Sequence, residues 1–311
     1  MPGPLLAIPN VSEGRDRDAI EAIGQAFDAR LLDIHLDPDH HRSVFTLAGE
    51  PGRLAGAVLS GAAEAVARVD VNRHVGIHPR IGAVDVAPVV YLAPAQRGAA
   101  CAEALVLGDL LGNELELPVF LYGELAAGRT RAELRRGGPG ALAARIEAGQ
   151  IRPDFGPRRL HPTAGAVLVA ARPPLVAFNV ELAPPATLED ARAIAALIRE
   201  GGPEGLESVR AIGLWLDARG VAQVSTNVED HRAVPLARVV EAVARHATPI
   251  GAELVGLAPR AAFDGFPEDL PIANRRTVED ALAGADGEAN AGAEANAGAE
   301  ANAGAEANAG A

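Results

Sequence analysis

One short stretch of the sequence combines the residue types that proton transfer needs. It runs from Gly76 to Val86 and places His78, Arg80 and Asp85 among glycines and a proline. Glycine is entropically costly inside a helix and proline removes a hydrogen-bond donor, so no helix is expected here. Histidine is the side chain whose unperturbed pKa lies closest to neutral pH. We predict that His78 lies on a turn at the mouth of a strand and transfers protons. A purely structural histidine is the alternative.

A second group of polar residues follows the first expected strand, in the segment Asn10-Val11-Ser12-Glu13-Gly14. Serine is preferred at the N-cap of a helix, so Ser12 is expected to cap the helix that follows. This role leaves Asn10 and Glu13 able to face a ligand. The segment therefore predicts a helix N-terminus with two candidate substrate contacts beside it.

Histidines and aspartates are concentrated between residues 35 and 42. A metal-dependent hydrolase is one interpretation, with four possible ligands, His35, Asp37, Asp39 and His41. Aspartate followed by proline is also a common turn opener, and no complementary ligand cluster is recognisable elsewhere, so we favour a turn. Arg42 opens the next expected strand and is the better candidate, as an anion contact.

A long loop rich in glycine and proline precedes the last strand of the first half, over residues 154–166. Arg158, Arg159 and His161 make it the densest positive patch near the middle of the chain. A solvated linker is the alternative. We favour an anion-binding loop, because the linker lies where a cleft between two halves is expected.

The composition excludes several classes of chemistry. The 311 residues contain no lysine and a single cysteine, which removes Schiff-base catalysis, phosphate-loop lysines, internal disulfides and cysteine-rich metal sites. The formal charge is −13, which argues against nucleic acid as a partner. No membrane span and no signal peptide are recognisable, so a cytoplasmic protein is expected.

Hydrophobic periodicity predicts the order βαββαβ twice. The first set has strands over 5–11, 30–36, 42–47 and 84–92, with helices over 15–27 and 51–69. An extension follows, with helices over 93–111 and 131–148 and a strand over 118–122. The second set has strands over 175–182, 209–216, 221–228 and 252–257, with helices over 187–200 and 235–247. Thr187 and Asp190 resemble a capping box at the start of one of these helices.

This order predicts an α+β fold of two ferredoxin-like subdomains with a ligand cleft or tunnel between them. We expect subdomains over 1–174 and 175–285. Residues 286–311 are mainly four copies of Glu-Ala-Asn-Ala-Gly-Ala and are expected to be a disordered tail, because they offer no large apolar side chain to bury.

Deleting residues 288–311 is expected to leave activity and the melting temperature unchanged, because the repeat contributes nothing to a core. Calorimetry and an activity assay on the shortened chain test this. A clear fall in the melting temperature would show that the tail is docked.

Several segments together resemble glutamate formiminotransferase, the folate-dependent enzyme of histidine breakdown. The resemblance runs in order from about residue 7 to about residue 260. The specific motif is Gly76-x-His78-Pro79-Arg80-x-Gly82-Ala83-x-Asp85. The supporting segments are Pro9-Asn10-Val11-Ser12-Glu13-Gly14, Leu121-Tyr122-Gly123-Glu124, Asp154-Phe155-Gly156-Pro157 and Ala222-Gln223-Val224-Ser225-Thr226-Asn227.

The resemblance implies a transferase that moves the formimino group of N-formimino-L-glutamate to N5 of tetrahydrofolate, a co-substrate, without a metal. It makes His78 the catalytic acid and base. The implied folate-binding residues are Gly156, Pro157, Arg158, Arg159, Leu160, His161, Pro162, Thr163, Ala164 and Gly165. We assign substrate binding to Asn10, Glu13, Arg42, Arg80 and Asp85.

Other interpretations remain open on the sequence alone. They are formyl transfer from 5-formyltetrahydrofolate to glutamate, a non-catalytic module that binds folate or an amino acid, and the metal-dependent hydrolase. A homodimer is possible.

Overall fold

Two β-sheets with helices packed on them make up the part of the protein that the structure describes. The computed structural model describes residues 3–75, 79–217 and 219–284. His78 and the repeat tail, both named above, lie outside the described residues. The two sheets and the helices packed on them confirm a mixed α+β architecture.

The first half contains seven strands and five helices among the described residues. They are β1 (Leu5–Ala7), β2 (Asn10–Val11), α1 (Arg17–Ala26), β3 (Arg30–Asp37), β4 (Arg42–Gly49), α2 (Leu54–Arg68), β5 (Val84–Val90), α3 (Arg97–Glu114), β6 (Val119–Leu121), α4 (Arg131–Arg135), α5 (Gly138–Glu147) and β7 (Val167–Arg172).

The first sheet places β1 and β2 together between β4 and β5. Strand β3 pairs with the outer side of β4, antiparallel. Strands β7 and β6 continue the sheet beyond β5, both in parallel pairings. The expected strand over 5–11 is thus real but interrupted at Ile8 and Pro9, since proline has no N–H to donate to a neighbouring strand.

Helices α1, α2 and α3 cover one face of this sheet and enclose its main apolar core. Helix α2 faces this core with an apolar stripe, since Leu54, Val58, Ala62 and Ala65 are all buried. The opposite face, toward the second half, carries β-strand side chains that are partly polar. The cavity described in the next section lies on that face.

The second half begins at Val176. Its elements are β8 (Val176–Leu182), α6 (Leu188–Ile198), β9 (Val209–Leu216), β10 (Val221–Val228), α7 (Leu236–Ala244), β11 (Pro249–Val255), β12 (Ile272–Ala273) and α8 (Val278–Gly284). The sheet order is β12-β11-β8-β10-β9, with α6 and α7 on one face. The capping box predicted at Thr187 is confirmed, since its side chain accepts from the Asp190 N–H.

The end of the described chain returns to the first half. Val278 on α8 packs in a cluster with Leu6, Leu32 and Val90. The Arg276 guanidinium pairs with the Asp33 carboxylate on β3. Helix α8 therefore joins the two halves, although it lies beyond the last helix and strand that periodicity predicts.

The single helix expected over 131–148 is wrong. It is two helices, α4 and α5, separated by Arg136 and Gly137, and the φ angles of Gly137 and of Gly138, the first residue of α5, are +77° and +72°. Left-handed residues cannot continue a right-handed helix, and glycine adopts them without a steric cost.

Within the described ranges, no helix has both the length and the apolar character needed to cross a membrane.

Candidate functional site

A cavity of about 850 Å³ lies between the two sheets. On the first sheet its wall includes Val44 and Thr46 of β4, then Val86 and Pro88 of β5. Residues two apart on a strand share a face, so these side chains identify the open face of the sheet. The second sheet contributes alternate residues too, among them Ala177, Asn179, Ser225 and Asn227. The open faces thus enclose the cavity between the halves.

Arginine dominates the charge of this cavity. Seven arginines contribute to the wall, against three carboxylates, Asp37, Glu124 and Glu229. The arginines are Arg42, Arg129, Arg131, Arg135, Arg136, Arg172 and Arg210. Arginine presents a planar fork that matches a carboxylate, so the wall suits an anionic ligand.

Two residues assigned to substrate binding from the sequence, Asn10 and Arg42, do line the cavity. Arg42 opens β4, as predicted. Burial lowers the pKa of Arg42 to about 10; the Asp37 carboxylate opposes this effect and the Arg135 charge reinforces it. An anion that enters the cavity would stabilise the charged form of this guanidinium, which burial and the neighbouring cations disfavour.

Helix α4 brings two cavity arginines into place through acidic partners on different elements. The Arg135 guanidinium pairs with the carboxylate of Asp85 on β5, which is only 2% exposed. The Arg131 guanidinium lies 4.0 Å from the Glu229 carboxylate of the second half. Glu229 also lies 3.6 Å from the guanidinium of Arg210, so it connects cations of both halves.

Arg172 is the last residue of β7 and also lines the cavity. Burial lowers the pKa of Arg172, and the nearby Tyr122 opposes this effect. The Arg131 guanidinium lies 5.7 Å from the centre of the Tyr122 ring. Tyr122, Arg131 and Arg172 thus form a cationic and aromatic corner of the wall.

Pro79 lines the cavity directly after residues 76–78. The chain that follows is buried and hydrogen-bonded. Asp85 Oδ1 accepts from the Ile81 N–H at 2.8 Å, and Ser12 Oγ donates to the Gly82 carbonyl at 2.7 Å. Arg80 donates to the His74 carbonyl. Arg80 and Asp85, assigned to substrate binding from the sequence, therefore hydrogen-bond to protein groups. Neither is among the described residues that line the cavity.

The prediction that Ser12 caps α1 is wrong. Asp16 is the N-cap, and its carboxylate accepts from the Ala19 N–H. Glu13, the remaining predicted substrate contact, accepts from the N–H groups of Arg15 and Asp16 at 2.8 and 3.0 Å. The N-cap of α1 therefore lies four residues later than the sequence suggested.

Glu13 also lies beside two stacked histidines. The rings of His41 and His74 are 4.3 Å apart, and His41 Nδ1 is 3.3 Å from the Glu13 carboxylate. His74 Nε2 donates to the His41 carbonyl at 2.7 Å. Burial lowers the pKa of both rings, while Glu13 opposes this effect on His41. The pair fastens the turn before Arg42 to the chain before residue 76.

The expected folate loop is placed elsewhere. Among the described residues that line the cavity, none belongs to residues 156–165. Arg158 and Arg159 are exposed, and Leu160 packs against a cluster that contains Ile81. The loop contacts the chain on both sides of residues 76–78 instead. Its binding role stays a prediction.

The turn interpretation of residues 37–41 is confirmed. The Asp37 carboxylate accepts from the His40 N–H at 2.8 Å. In the part of the chain that the structure describes, no three His, Cys, Asp or Glu side chains are grouped so that they could hold a metal ion.

His35 gives a prediction about pH. Burial lowers its pKa from 6.5 to about 4, and the Asp37 carboxylate opposes this effect. The unfolded chain therefore binds the extra proton between pH 6.5 and 4, so stability falls as the pH falls through that window. Wild-type protein is expected to lose about 2 kcal/mol more stability between pH 7 and pH 5 than the variant His35→Asn. Urea unfolding at both pH values measures this, and equal losses would contradict it.

Sequence reasoning missed Arg131, Arg135 and Arg172. One signal was available, because four arginines occur between residues 129 and 136 in a chain without lysine. Their convergence with Arg172 could not be read from spacing, since it depends on the parallel pairing of β6 and β7.

The sequence matches known formiminotransferase domains over most of its length. Residues 5–172 match the formiminotransferase domain, N-terminal subdomain, and residues 177–265 match the formiminotransferase domain. Among similar proteins is the formimidoyltransferase-cyclodeaminase of Gallus gallus, 38% identical over 273 residues, covering 82% of this chain and 50% of that protein. The chain spans about half the length of the animal relatives that it matches.

Two microbial proteins are matched over most of their own length. The glutamate formimidoyltransferase of Thermoplasma acidophilum is 34% identical over 270 residues, covering 82% of this chain and 88% of that protein. The glutamate formimidoyltransferase of Streptococcus pyogenes serotype M1 is 35% identical over 268 residues, covering 82% of this chain and 89% of that protein. The chain therefore belongs to the formiminotransferase family.

Proposed function

We propose that this protein is a glutamate formimidoyltransferase of histidine degradation, which moves the formimino group of N-formimino-L-glutamate to N5 of tetrahydrofolate. The observation that carries the proposal is the match to both parts of the formiminotransferase domain. Relatives of similar length are named for this activity. Tetrahydrofolate is then a co-substrate, and no metal is needed.

We propose further that each half is a ferredoxin-like subdomain and that the cavity is the ligand cleft. The strand order supports the first point: if the interrupted strand β1–β2 counts as one, the first four strands of each half lie in the order 4-1-3-2. The position of the cavity between the two open faces supports the second.

The arginines of the cavity fit the charge of both substrates. Formiminoglutamate carries two carboxylates, and the tail of a folate carries at least two more. Bidentate guanidinium–carboxylate contacts are stronger than neutral hydrogen bonds and fix the orientation of a ligand. Asp85 binds both the Ile81 N–H, two residues after Pro79, and the Arg135 guanidinium, whose charge acts on Arg42. We therefore assign Arg42 and Arg135 to the carboxylates closest to the reacting carbon.

The reaction needs proton transfer more than any other assistance. N5 of tetrahydrofolate attacks the formimino carbon and forms a tetrahedral intermediate. The bond from that carbon to the glutamate nitrogen then breaks, and the departing amine gains a proton. His78 is assigned as the acid and base that moves this proton, by its match to the family motif.

A direct assay tests the function. Purified protein is supplied with formiminoglutamate and tetrahydrofolate, with and without a chelator, and the appearance of 5-formiminotetrahydrofolate is followed. We expect turnover that needs the folate and ignores the chelator. Activity only with 5-formyltetrahydrofolate and glutamate would assign formyl transfer, and activity lost to the chelator would assign a metal-dependent reaction.

The loop arginines give a separate prediction. Replacing Arg158 and Arg159 together by alanine is expected to raise KM for tetrahydrofolate roughly two- to fivefold with kcat unchanged, because exposed ion pairs contribute only ~0–1 kcal/mol each. The effect should shrink as salt rises, since screening already weakens the wild-type contact. Steady-state kinetics at low and high salt measure it, and an unaltered KM at low salt would make the two residues a solvated linker.

We also propose a cytoplasmic enzyme, supported by the metabolic activity for which its relatives are named. A homodimer stays a prediction, which sedimentation equilibrium of the purified chain tests.

A further inference from the structure

The corner formed by Tyr122, Arg131 and Arg172 holds hydrogen-bond donors that the described protein does not use. Tyr122 is only 6% exposed, and its hydroxyl is buried. The Nε of Arg172 is buried as well, and among the described residues no group hydrogen-bonds to either atom. Both side chains line the cavity, so a small rotation of each can turn its donor toward a ligand there. Leaving a buried donor unpaired costs free energy, so the corner gains from a ligand that supplies acceptors.

The charges at the corner also favour an anion. Burial lowers the pKa of Arg172; the Arg131 charge reinforces this effect and the Glu229 carboxylate opposes it. Glu229 lies 4.0 Å from the guanidinium of Arg131 and 3.6 Å from that of Arg210. Arg210 has a second partner, the Glu200 carboxylate, at 2.9 Å. Three cations thus share two carboxylates, and the corner keeps an excess of positive charge.

The corner lies close to the arginines assigned above to the carboxylates nearest the reacting carbon. After burial, the Arg131 charge is among the causes that lower the pKa of Arg42, as it is for Arg172. Arg131 also begins α4 four residues before Arg135, which places the two side chains on the same face of that helix. Arg131 therefore connects the corner with Arg42 and Arg135, and a small ligand with two carboxylates can reach both places.

We propose that this corner is a subsite for the side-chain carboxylate of the amino-acid substrate, with Arg172 as its bidentate contact and Tyr122 as a further donor. The inference rests on the proposed function, which supplies formiminoglutamate as the dicarboxylate. The α-carboxylate of that molecule sits on the carbon that carries the formimino nitrogen, so it falls to Arg42 and Arg135. The side-chain carboxylate lies two methylene groups further on and falls to the corner.

The hydrogen bonding of Arg172 suits this role. Its Nη1 donates to the Pro173 carbonyl at 2.9 Å, which fixes one side of the guanidinium. The edge formed by Nε and Nη2 is then the one that faces a carboxylate, and two parallel N–H groups on such an edge bind both of its oxygens. A fixed bidentate contact also measures length, so the subsite selects the glutamate skeleton over that of aspartate, which is one methylene shorter.

The test compares two substrates, N-formimino-L-glutamate and N-formimino-L-glutamine, in which an amide replaces the side-chain carboxylate. We expect wild type to prefer the glutamate form roughly 10- to 100-fold in kcat/KM, the usual size of a charge-assisted contact. Arg172→Gln should lose most of this preference, with KM for tetrahydrofolate unchanged. Tyr122→Phe keeps the ring and removes only the hydroxyl, so it should lower the preference about 3- to 10-fold. Should Arg172→Gln fail to fold, Tyr122→Phe decides by the same comparison.

A variant with the opposite sign tests the charge at the corner. Glu229→Gln removes the carboxylate that competes with the ligand for these arginines, so KM for formiminoglutamate should fall by up to about fivefold. The control is Arg238→Ala, an exposed arginine of α7 whose partner is Glu241 at 3.4 Å. Arg238 is not among the described residues that line the cavity, so this change should leave the preference between the two substrates intact.

Calorimetric titration with L-glutamate and L-glutamine needs no turnover. Wild type should bind glutamate more tightly than glutamine, and Arg172→Gln should bind the two alike. The inference is overturned if wild type binds both equally. It is also overturned if Arg172→Gln keeps the preference and raises KM for tetrahydrofolate instead, which would assign the corner to the folate tail. An inactive wild type that still binds glutamate more tightly than glutamine would reject the proposed function and retain the subsite.

Discussion

Replacing His78 by alanine is expected to lower kcat by about two to four orders of magnitude, the usual contribution of general acid–base catalysis. Binding of tetrahydrofolate should change little. The described chain on both sides of residues 76–78 makes hydrogen bonds through Val71, Asn72, Ile81 and Ala83 that do not involve the His78 side chain. Removing the imidazole should therefore remove the proton carrier and leave the surrounding structure in place.

Steady-state kinetics and calorimetric titration with tetrahydrofolate measure the two quantities separately. Free imidazole added to His78→Ala should restore part of the activity, because it can enter the space left and carry the proton. The same addition to His246→Ala, on the far side of the second half, should have no effect. Near-normal turnover in His78→Ala would make the residue structural and the assignment wrong.

The second large effect is expected from Arg135→Ala. Asp85 is 2% exposed, and its carboxylate pairs with the Arg135 guanidinium. Removing one partner of a buried ion pair leaves an uncompensated charge and costs about 3–5 kcal/mol. We therefore expect a loss of this size in the free energy of unfolding, together with weaker substrate binding, since Arg135 also lines the cavity.

Urea unfolding measures the loss. The control is the adjacent Arg136→Ala, whose side chain is exposed and whose removal should change stability by no more than ~0.5 kcal/mol. Combining Arg135→Ala with Asp85→Asn should cost less than the sum of the two single changes, because the unpaired carboxylate is then neutral. Additive losses would show that the pair does not stabilise the fold.

Most of the secondary structure could be predicted, because each half packs one face of its sheet on helices. The spacing of apolar residues along each strand and helix then matches the face that is buried. The predictions of element boundaries are wrong where a proline or a left-handed glycine interrupts a strand or helix. Pro9 interrupts the first strand, and the left-handed Gly137 divides the expected helix over 131–148. Helix α8 is short, and its packing on the first half depends on residues distant in sequence, so local pattern contained no sign of it.

Two residues of the cavity wall could be identified from the sequence because each lies in a polar segment at the end of an expected strand. Asn10 and Arg42 were identified because they begin or end strands, and both line the cavity. Arg158 and Arg159 were chosen as the densest positive patch, yet the cavity takes its charge from arginines spread over several elements. A search for clustered charges finds residues that are close in sequence, whereas the arginines of the cavity come from different strands and helices and meet only in the fold. Asp85 was assigned to substrate from its place in the motif around His78; its carboxylate pairs with Arg135, and its substrate role stays a prediction.

The packing of α8 on the first half has a consequence for the order in which the chain folds during its synthesis. The ion pair between Arg276 and Asp33 joins residues 243 positions apart. At the usual rate of translation, that stretch takes roughly 10–50 s to make. Over this time Leu6, Leu32 and Val90 lack the cover that Val278 later provides. The newborn first half therefore presents an apolar edge to which a chaperone can bind, until the last described helix leaves the ribosome and covers it.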